Sequence, residues 1–234
     1  MQYIGWVIAL LVVATPAWGA PCAKTDFKAC KQKCAKKQPE SCMRLGFLYM
    51  GIEKGADVTD DVKAREVMEA ACNAKLGEAC VYLGTMAEAG RGAPKSKELA
   101  RSWWEKGCTF KNGGACLKAA FAIEATGDKP RAATYYGLAC KHREWTGCGI
   151  LGQMEVQGDG IPAAPQRGLK RLLNVCRQHG LGRGCVEAGI AYERGEIGGA
   201  DLFRAQLLYQ EGCKARVPEQ LGCEHAARLA GTKP

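Results

Sequence analysis

The apolar positions of the chain fall into two alternating helical patterns, separated by short breaks rich in Gly and Pro. In one pattern a small residue precedes a large one by four positions, as in Ala64/Met68, Ala100/Trp104, Ala132/Tyr136, Gly168/Leu172 and Ala205/Tyr209. Residues four apart share a helical face, so such a helix approaches its neighbour at the small position and fills the space beside it with the large one. We term it helix B. In the other pattern Leu or Ala is followed at once by Gly or Ala: Leu45-Gly46, Leu83-Gly84, Ala119-Ala120, Leu151-Gly152, Ala188-Gly189 and Ala226-Ala227. Glycine inside a helix costs roughly 0.5–1 kcal/mol against alanine, so its return to one column predicts close helix contact. This is helix A. Gly90, Gly127, Gly158 and Gly195 suit its C-cap, and the Gly- and Pro-rich stretches after them read as A-to-B loops.

Fourteen cysteines punctuate the pattern in seven local pairs: Cys22/Cys30, Cys34/Cys42, Cys72/Cys80, Cys108/Cys116, Cys140/Cys148, Cys176/Cys185 and Cys213/Cys223. From Cys34 the first member recurs after 38, 36, 32, 36 and 37 residues, the period of a two-helix repeat array. The expected fold is all-α, an α/α superhelix in which each disulfide ties the end of a helix B to the start of the next helix A. Contacts in an array are between neighbours, which favours local pairing. Linking residues about eight apart is worth about 2.5 kcal/mol per bridge in the loop-closure picture. Cys22/Cys30 lies outside the repeat, and a Cys22–Cys34 bridge stays open on spacing alone. We expect a lone helix B at about Thr25 to Lys37, five A–B units, and a lone helix A near Glu219 to Ala230. The third unit is the shortest, with Gly127-Asp128-Lys129-Pro130 in place of a longer loop.

The uncharged start, with an apolar run from Ile4 to Ala14 and then Pro16-Ala17-Trp18-Gly19, reads as a signal peptide cut after Gly19. An apolar run of about eleven residues is too short to span roughly 30 Å of hydrocarbon. The expected division is residues 1–19 leader, 20–40 extension and capping helix, 41–216 five repeats, and 217–234 capping helix and tail. An even cysteine count behind a leader implies an oxidising destination, secreted or periplasmic. The formal charge of +9 belongs entirely to the part after the leader. Lys24, Lys28, Lys31, Lys33, Lys36, Lys37 and Arg44 crowd its beginning, where they either cap the first helix in solvent or meet an anionic envelope surface.

The run Ala79-Cys80-Val81-Tyr82-Leu83-Gly84, then Gly90-Arg91-Gly92, then Leu99 to Cys108 resembles the Sel-1-like repeat, a relative of the tetratricopeptide repeat. The resemblance covers about residues 34 to 231, and the cysteine pairs bring it nearest to the Helicobacter cysteine-rich proteins. It implies a superhelix whose concave face binds peptides or proteins. Members of that branch have also been described as penicillin-binding and β-lactamase-like, which makes a hydrolase acting on peptidoglycan-related substrates the alternative.

The residues themselves offer that chemistry little support. A serine β-lactamase needs Ser with Lys three positions on, but Ser41, Ser96 and Ser102 are followed there by Arg44, Leu99 and Glu105. His142, His179 and His225 stand in separate repeats, and the cysteine gaps lack the Cys-x-x-Cys knuckle, so no metal site is expected. No glycine-rich phosphate loop follows a strand, and neither a cofactor nor a nucleic acid is expected. Trp104 and Tyr136 sit in the buried column; Trp103 and Tyr135 are open to either core packing or stacking on a carbohydrate. If helix A lines the concave face, partner contacts belong at positions that vary between units. Two or five residues after the second cysteine these are Arg44, Tyr82, Lys118, Gln153, Glu187 and His225.

Overall fold

A computed structural model describes residues 20–53 and 59–231, so the expected leader, residues 1–19, lies outside the described residues. These residues form twelve α-helices: α1 (Phe27–Ala35), α2 (Pro39–Tyr49), α3 (Asp61–Asn73), α4 (Gly77–Ala89), α5 (Lys97–Thr109), α6 (Gly113–Glu124), α7 (Lys129–Lys141), α8 (Trp145–Gln157), α9 (Pro165–His179), α10 (Gly182–Glu193), α11 (Leu202–Cys213) and α12 (Gln220–Gly231). Even-numbered helices are A and odd-numbered ones B. Among the described residues the nearest thing to a sheet is one isolated bridge, Leu181 to Val217.

Five of the six B helices begin at a residue whose side chain satisfies a free N–H, with Asp26 of α1 accepting from Ala29. Asp60, Ser96, Asp128 and Asp201 accept from the third residue onward, at Lys63, Leu99, Arg131 and Arg204. Helix α9 has no such side chain and starts instead with Pro165, whose missing N–H removes one orphan donor. Gly90 and Gly158 are left-handed C-caps as expected. Helices α6 and α10 stop earlier, at caps Ala125 and Arg194, and the left-handed Gly127 and Gly195 follow the caps.

Each A helix from α2 to α10 packs along the B helix that follows it. The glycine column lies at these contacts: a Cβ on Gly84 would stand 2.1 Å from Trp104 Nε1, on Gly189 2.7 Å from Tyr209 Cε1, and on Gly46 2.6 Å from Met68 Cε. Tyr136, Tyr209, Met68 and Leu172 are fully buried in the facing column. The disulfides join the partners Cys22–Cys30, Cys34–Cys42, Cys72–Cys80, Cys108–Cys116, Cys140–Cys148, Cys176–Cys185 and Cys213–Cys223. From Cys34 onward each bridge crosses one B-to-A turn. Successive A helices also touch, α4 with α6, α8 with α10 and α10 with α12, whereas no two successive B helices among the described residues approach comparably. The array therefore bends with its A helices on the inner side.

Candidate binding face on the A helices

The six variable positions all lie half-buried on A helices, but they meet different surroundings. Gln153 of α8 and Glu187 of α10 line one cleft of about 130 Å³ between these successive A helices. Trp145, Ile150, Val175 and Val217 supply apolar walls, while Arg183 and Glu219 complete the polar rim. Trp145 is held by stacking on His179, with ring centroids 3.6 Å apart and planes 9° from parallel. Burial pushes the Glu187 carboxyl above its ordinary range, and the Arg183 guanidinium 3.7 Å away opposes that shift only partly.

Tyr82 packs edge-on against Phe47 at 4.7 Å, and burial, then the charge of Glu78, pushes its phenol up. Arg44 turns to the N-terminal extension and donates to the Cys22 carbonyl, and His225 packs against Tyr209 at 4.7 Å. Lys118 places its ammonium 5.3 Å from the Trp104 ring, at a second cleft of about 430 Å³ between α4, α5 and α6. Phe121, 45% exposed, and the buried Trp104 form its apolar floor; Lys97, Arg101, Glu88 and Glu98 ring it. The short third unit explains this opening. In the α4–α5 and α8–α9 loops the second glycine reaches back onto the first turn of the preceding B helix. A Cβ on Gly92 would be 2.3 Å from the Asp61 carbonyl oxygen, and one on Gly160 2.3 Å from Lys129 Cβ. The α6–α7 loop has only residues 125–128, a Cβ on Gly127 would meet nothing within 4 Å, and the start of α5 stays uncovered.

Two carboxylate arrangements escaped the sequence reading. Tyr136 Oη donates to Glu124 and Tyr209 Oη to Glu193, both at 2.6 Å, and each glutamate stands eight residues after the second cysteine of its unit. Burial, followed by these bonds to carboxylates, pushes both phenols far up. Glu88 occupies the same place, but the column holds Trp104, whose Nε1 donates to the Val81 carbonyl at 3.2 Å, so Glu88 faces the second cleft. The recurrence of Glu at that offset, paired with Tyr in the B column, was the available signal. Glu155, 3% exposed, is clasped by Arg167 at 2.9 Å and Arg171 at 3.0 Å, tying α8 to α9.

The serines have structural roles. Ser41 is buried, accepts from the Cys22 N–H and donates to Gln38 Oε1; Ser96 caps α5; Ser102 donates to the Leu99 carbonyl. Cys176, Cys185 and Glu211 bring ligand-type atoms together, but both sulfurs are bonded to each other and Glu211 is ion-paired with Arg177 at 3.0 Å. A disulfide sulfur is not a thiolate ligand.

Repeat length, glycine columns and disulfide-stapled turns together define a cysteine-rich solenoid of two-helix repeats. No protein-family model matches the chain. Solved structures agree on the fold: c5321, a protective antigen of uropathogenic Escherichia coli with an SLR fold, superposes with TM-score 0.73 and 17% identity over 87% of this chain and 43% of its own. A Sel1 repeat protein from Oxalobacter formigenes gives 0.70 and 21% over 82% of this chain and 80% of its own. YrrB, a TPR protein with an unusual peptide-binding site, gives 0.53 and 15% over 88% of this chain and all of its own. In sequence, the chain is 32% identical over 87 residues to the cytochrome c oxidase assembly factor 7 homolog of Drosophila melanogaster, covering 36% of this chain. The chain thus spans 31% of that curated relative's length and under half of c5321. Seven disulfides point to an oxidising compartment, extracellular or periplasmic. No helix among the described residues is long and apolar enough to cross a membrane.

Proposed function

We propose that the protein is a secreted or periplasmic scaffold that holds an extended segment of a partner protein on its inner, A-helix face. The observation that carries this reading is the convergence of Gln153 and Glu187 on one apolar cleft between α8 and α10. Apolar walls with a few fixed polar groups are the usual composition of a ligand pocket. The peptide-binding site named for the TPR protein YrrB gives a precedent on a related fold. The division into leader, extension, five repeats and capping helix belongs to the same proposal. So does a role for the lysines around α1 in holding the scaffold near an anionic envelope surface: Lys24, Lys28, Lys31, Lys36 and Lys37 are exposed.

Selection of a displayed peptide library on the oxidised protein tests the reading. Enriched peptides should bind wild type and lose at least tenfold in affinity with Gln153→Ala and Glu187→Gln together, at an unchanged far-UV spectrum. Enriched peptides that bind the double variant as well as wild type would overturn it.

A further inference from the structure

The B-to-A turns carry a feature that peptide capture does not use. Lys37, Lys75, Lys111 and Arg143 have left-handed backbones, with φ of 60°, 69°, 61° and 65°. Each stands three residues after the first cysteine of its pair and donates its N–H to that cysteine's carbonyl. This conformation favours Gly or Asn and disfavours side chains with a Cβ, and the fifth turn, one residue wider between its cysteines, uses Gly180 for it, four residues after Cys176 and at φ 69°. Four successive turns instead hold an exposed cation, and none of the four is in an ion pair among the described residues. Among the acids near these turns, Glu40 and Glu78 lie in the first turns of α2 and α4, Glu144 caps α8, and Glu69 and Glu105 near the ends of α3 and α5 pair with Arg65 and Arg131. A cation also gains from the C-terminal end of a helix, but that gain does not require the left-handed position.

Midway along this edge, between α5 and α7, lies a cleft of about 440 Å³ lined by Tyr135, Leu138, Thr109, Lys111, Lys141 and His142. Its one carboxylate, Glu105, is taken by Arg131 at 2.8 Å. Lys111 and Lys141 are exposed and form no ion pair there, and the half-buried Tyr135 ring lies between apolar and cationic groups.

We propose that this edge, centred on the Tyr135 cleft, binds an acidic polysaccharide, a linear chain bearing carboxylate or sulfate groups. One cation per repeat sets the charges about one helix-packing distance or more apart, so a flexible acidic chain can bring an anion from a different sugar to each. Duplex DNA carries one charge per about 1.7 Å. A flat lipid surface would touch only part of an edge that bends with the array, whereas a flexible chain follows it. The Tyr135 ring and Leu138 offer an apolar face to a sugar ring while Lys111 and Lys141 meet its acidic group. This edge is distinct from the A-helix clefts, so its test and that of peptide capture fail independently.

Full-length oxidised protein should be titrated with polygalacturonate and heparin, and with neutral dextran, a short DNA duplex and phosphatidylglycerol vesicles as comparisons, over a range of salt. Wild type should bind both acidic polysaccharides and not dextran. The triple variant Lys75→Gly, Lys111→Gly, Arg143→Gly places Gly where Gly is preferred, so it should melt no lower than wild type. It should bind at least tenfold more weakly with a flatter salt dependence. Tyr135→Leu should weaken polygalacturonate by threefold or more and leave the salt dependence unchanged. Should the glycine variant melt lower, Lys111→Gln with Lys141→Gln supplies the same comparison. Equal affinity of the charge variants and wild type for the polysaccharides overturns the proposal, as does DNA or vesicle binding that is tighter than that of either polysaccharide and is lost in the glycine triple variant.

Discussion

Replacing Gly84 with alanine should destabilise the array, although helix propensity alone argues the opposite. Alanine gains about 1 kcal/mol over glycine in a helix interior. At this site the new Cβ would fall 2.1 Å from Trp104 Nε1 and 2.4 Å from Cδ1, so the indole must move. Trp104 is 5% exposed and its Nε1–H is committed to the Val81 carbonyl at 3.2 Å. Overpacking costs typically 1–3 kcal/mol, and a lost hydrogen bond about 1 kcal/mol. The net is a loss of about 1–3 kcal/mol, and at about 2–4 °C per kcal/mol for a chain of this size the melting temperature should fall by about 2–12 °C. Gly46→Ala is the internal comparison. Its near contacts are Met68 Cε at 2.6 Å and Cγ at 2.9 Å, in a buried but flexible thioether chain that adapts more readily than an indole, so its melting temperature should fall less than that of Gly84→Ala. Thermal melting followed by far-UV circular dichroism on the oxidised proteins reads both. A Gly84→Ala variant that melts at or above wild type would refute the packing account of the glycine column.

Three further outcomes follow from the structure. Burial raises the folded pKa of Glu187 above its unfolded value of about 4.3, so the folded state binds more protons and stability falls as pH rises through that interval; Glu187→Gln should therefore raise the melting temperature at pH 7 and leave it unchanged near pH 3, and equal effects at both would contradict the burial argument. Non-reducing peptide mapping should recover the seven local disulfides, with Cys22 joined to Cys30; a Cys22–Cys34 peptide would change the anchoring of the extension. Hydrolysis of a chromogenic cephalosporin should stay at the buffer rate, since Ser41, Ser96 and Ser102 are each committed to structural hydrogen bonds; turnover abolished by changing one of these serines would restore the hydrolase reading.

Much of the fold was legible because a repeat states each requirement several times. A single Gly84 says little, but Gly46, Gly84, Gly152 and Gly189 in one column specify a close helix contact, and the A-to-B spacing follows. The binding face was legible only as a set of positions. Gln153 and Glu187 converge, whereas Arg44 is drawn to the Cys22 carbonyl by an extension whose path no local pattern encodes. The cleft at Lys118 arises from what a shortened loop fails to cover, a contact between units two helices apart. The left-handed Lys37, Lys75, Lys111 and Arg143 were hidden because such a backbone is ordinarily signalled by Gly or Asn. The Tyr–Glu pairs needed two columns to be read jointly, one on each helix.

The central claim is that the A helices form the partner-reading surface. It is tested most directly by hydrogen exchange on the oxidised protein with and without a selected peptide bound. Protection on binding should concentrate in α8 and α10, around Gly149 to Gln153 and Arg183 to Glu187, with the outer faces of α9 and α11 unchanged. Protection confined to the B helices, or absent from α8 and α10, would contradict it.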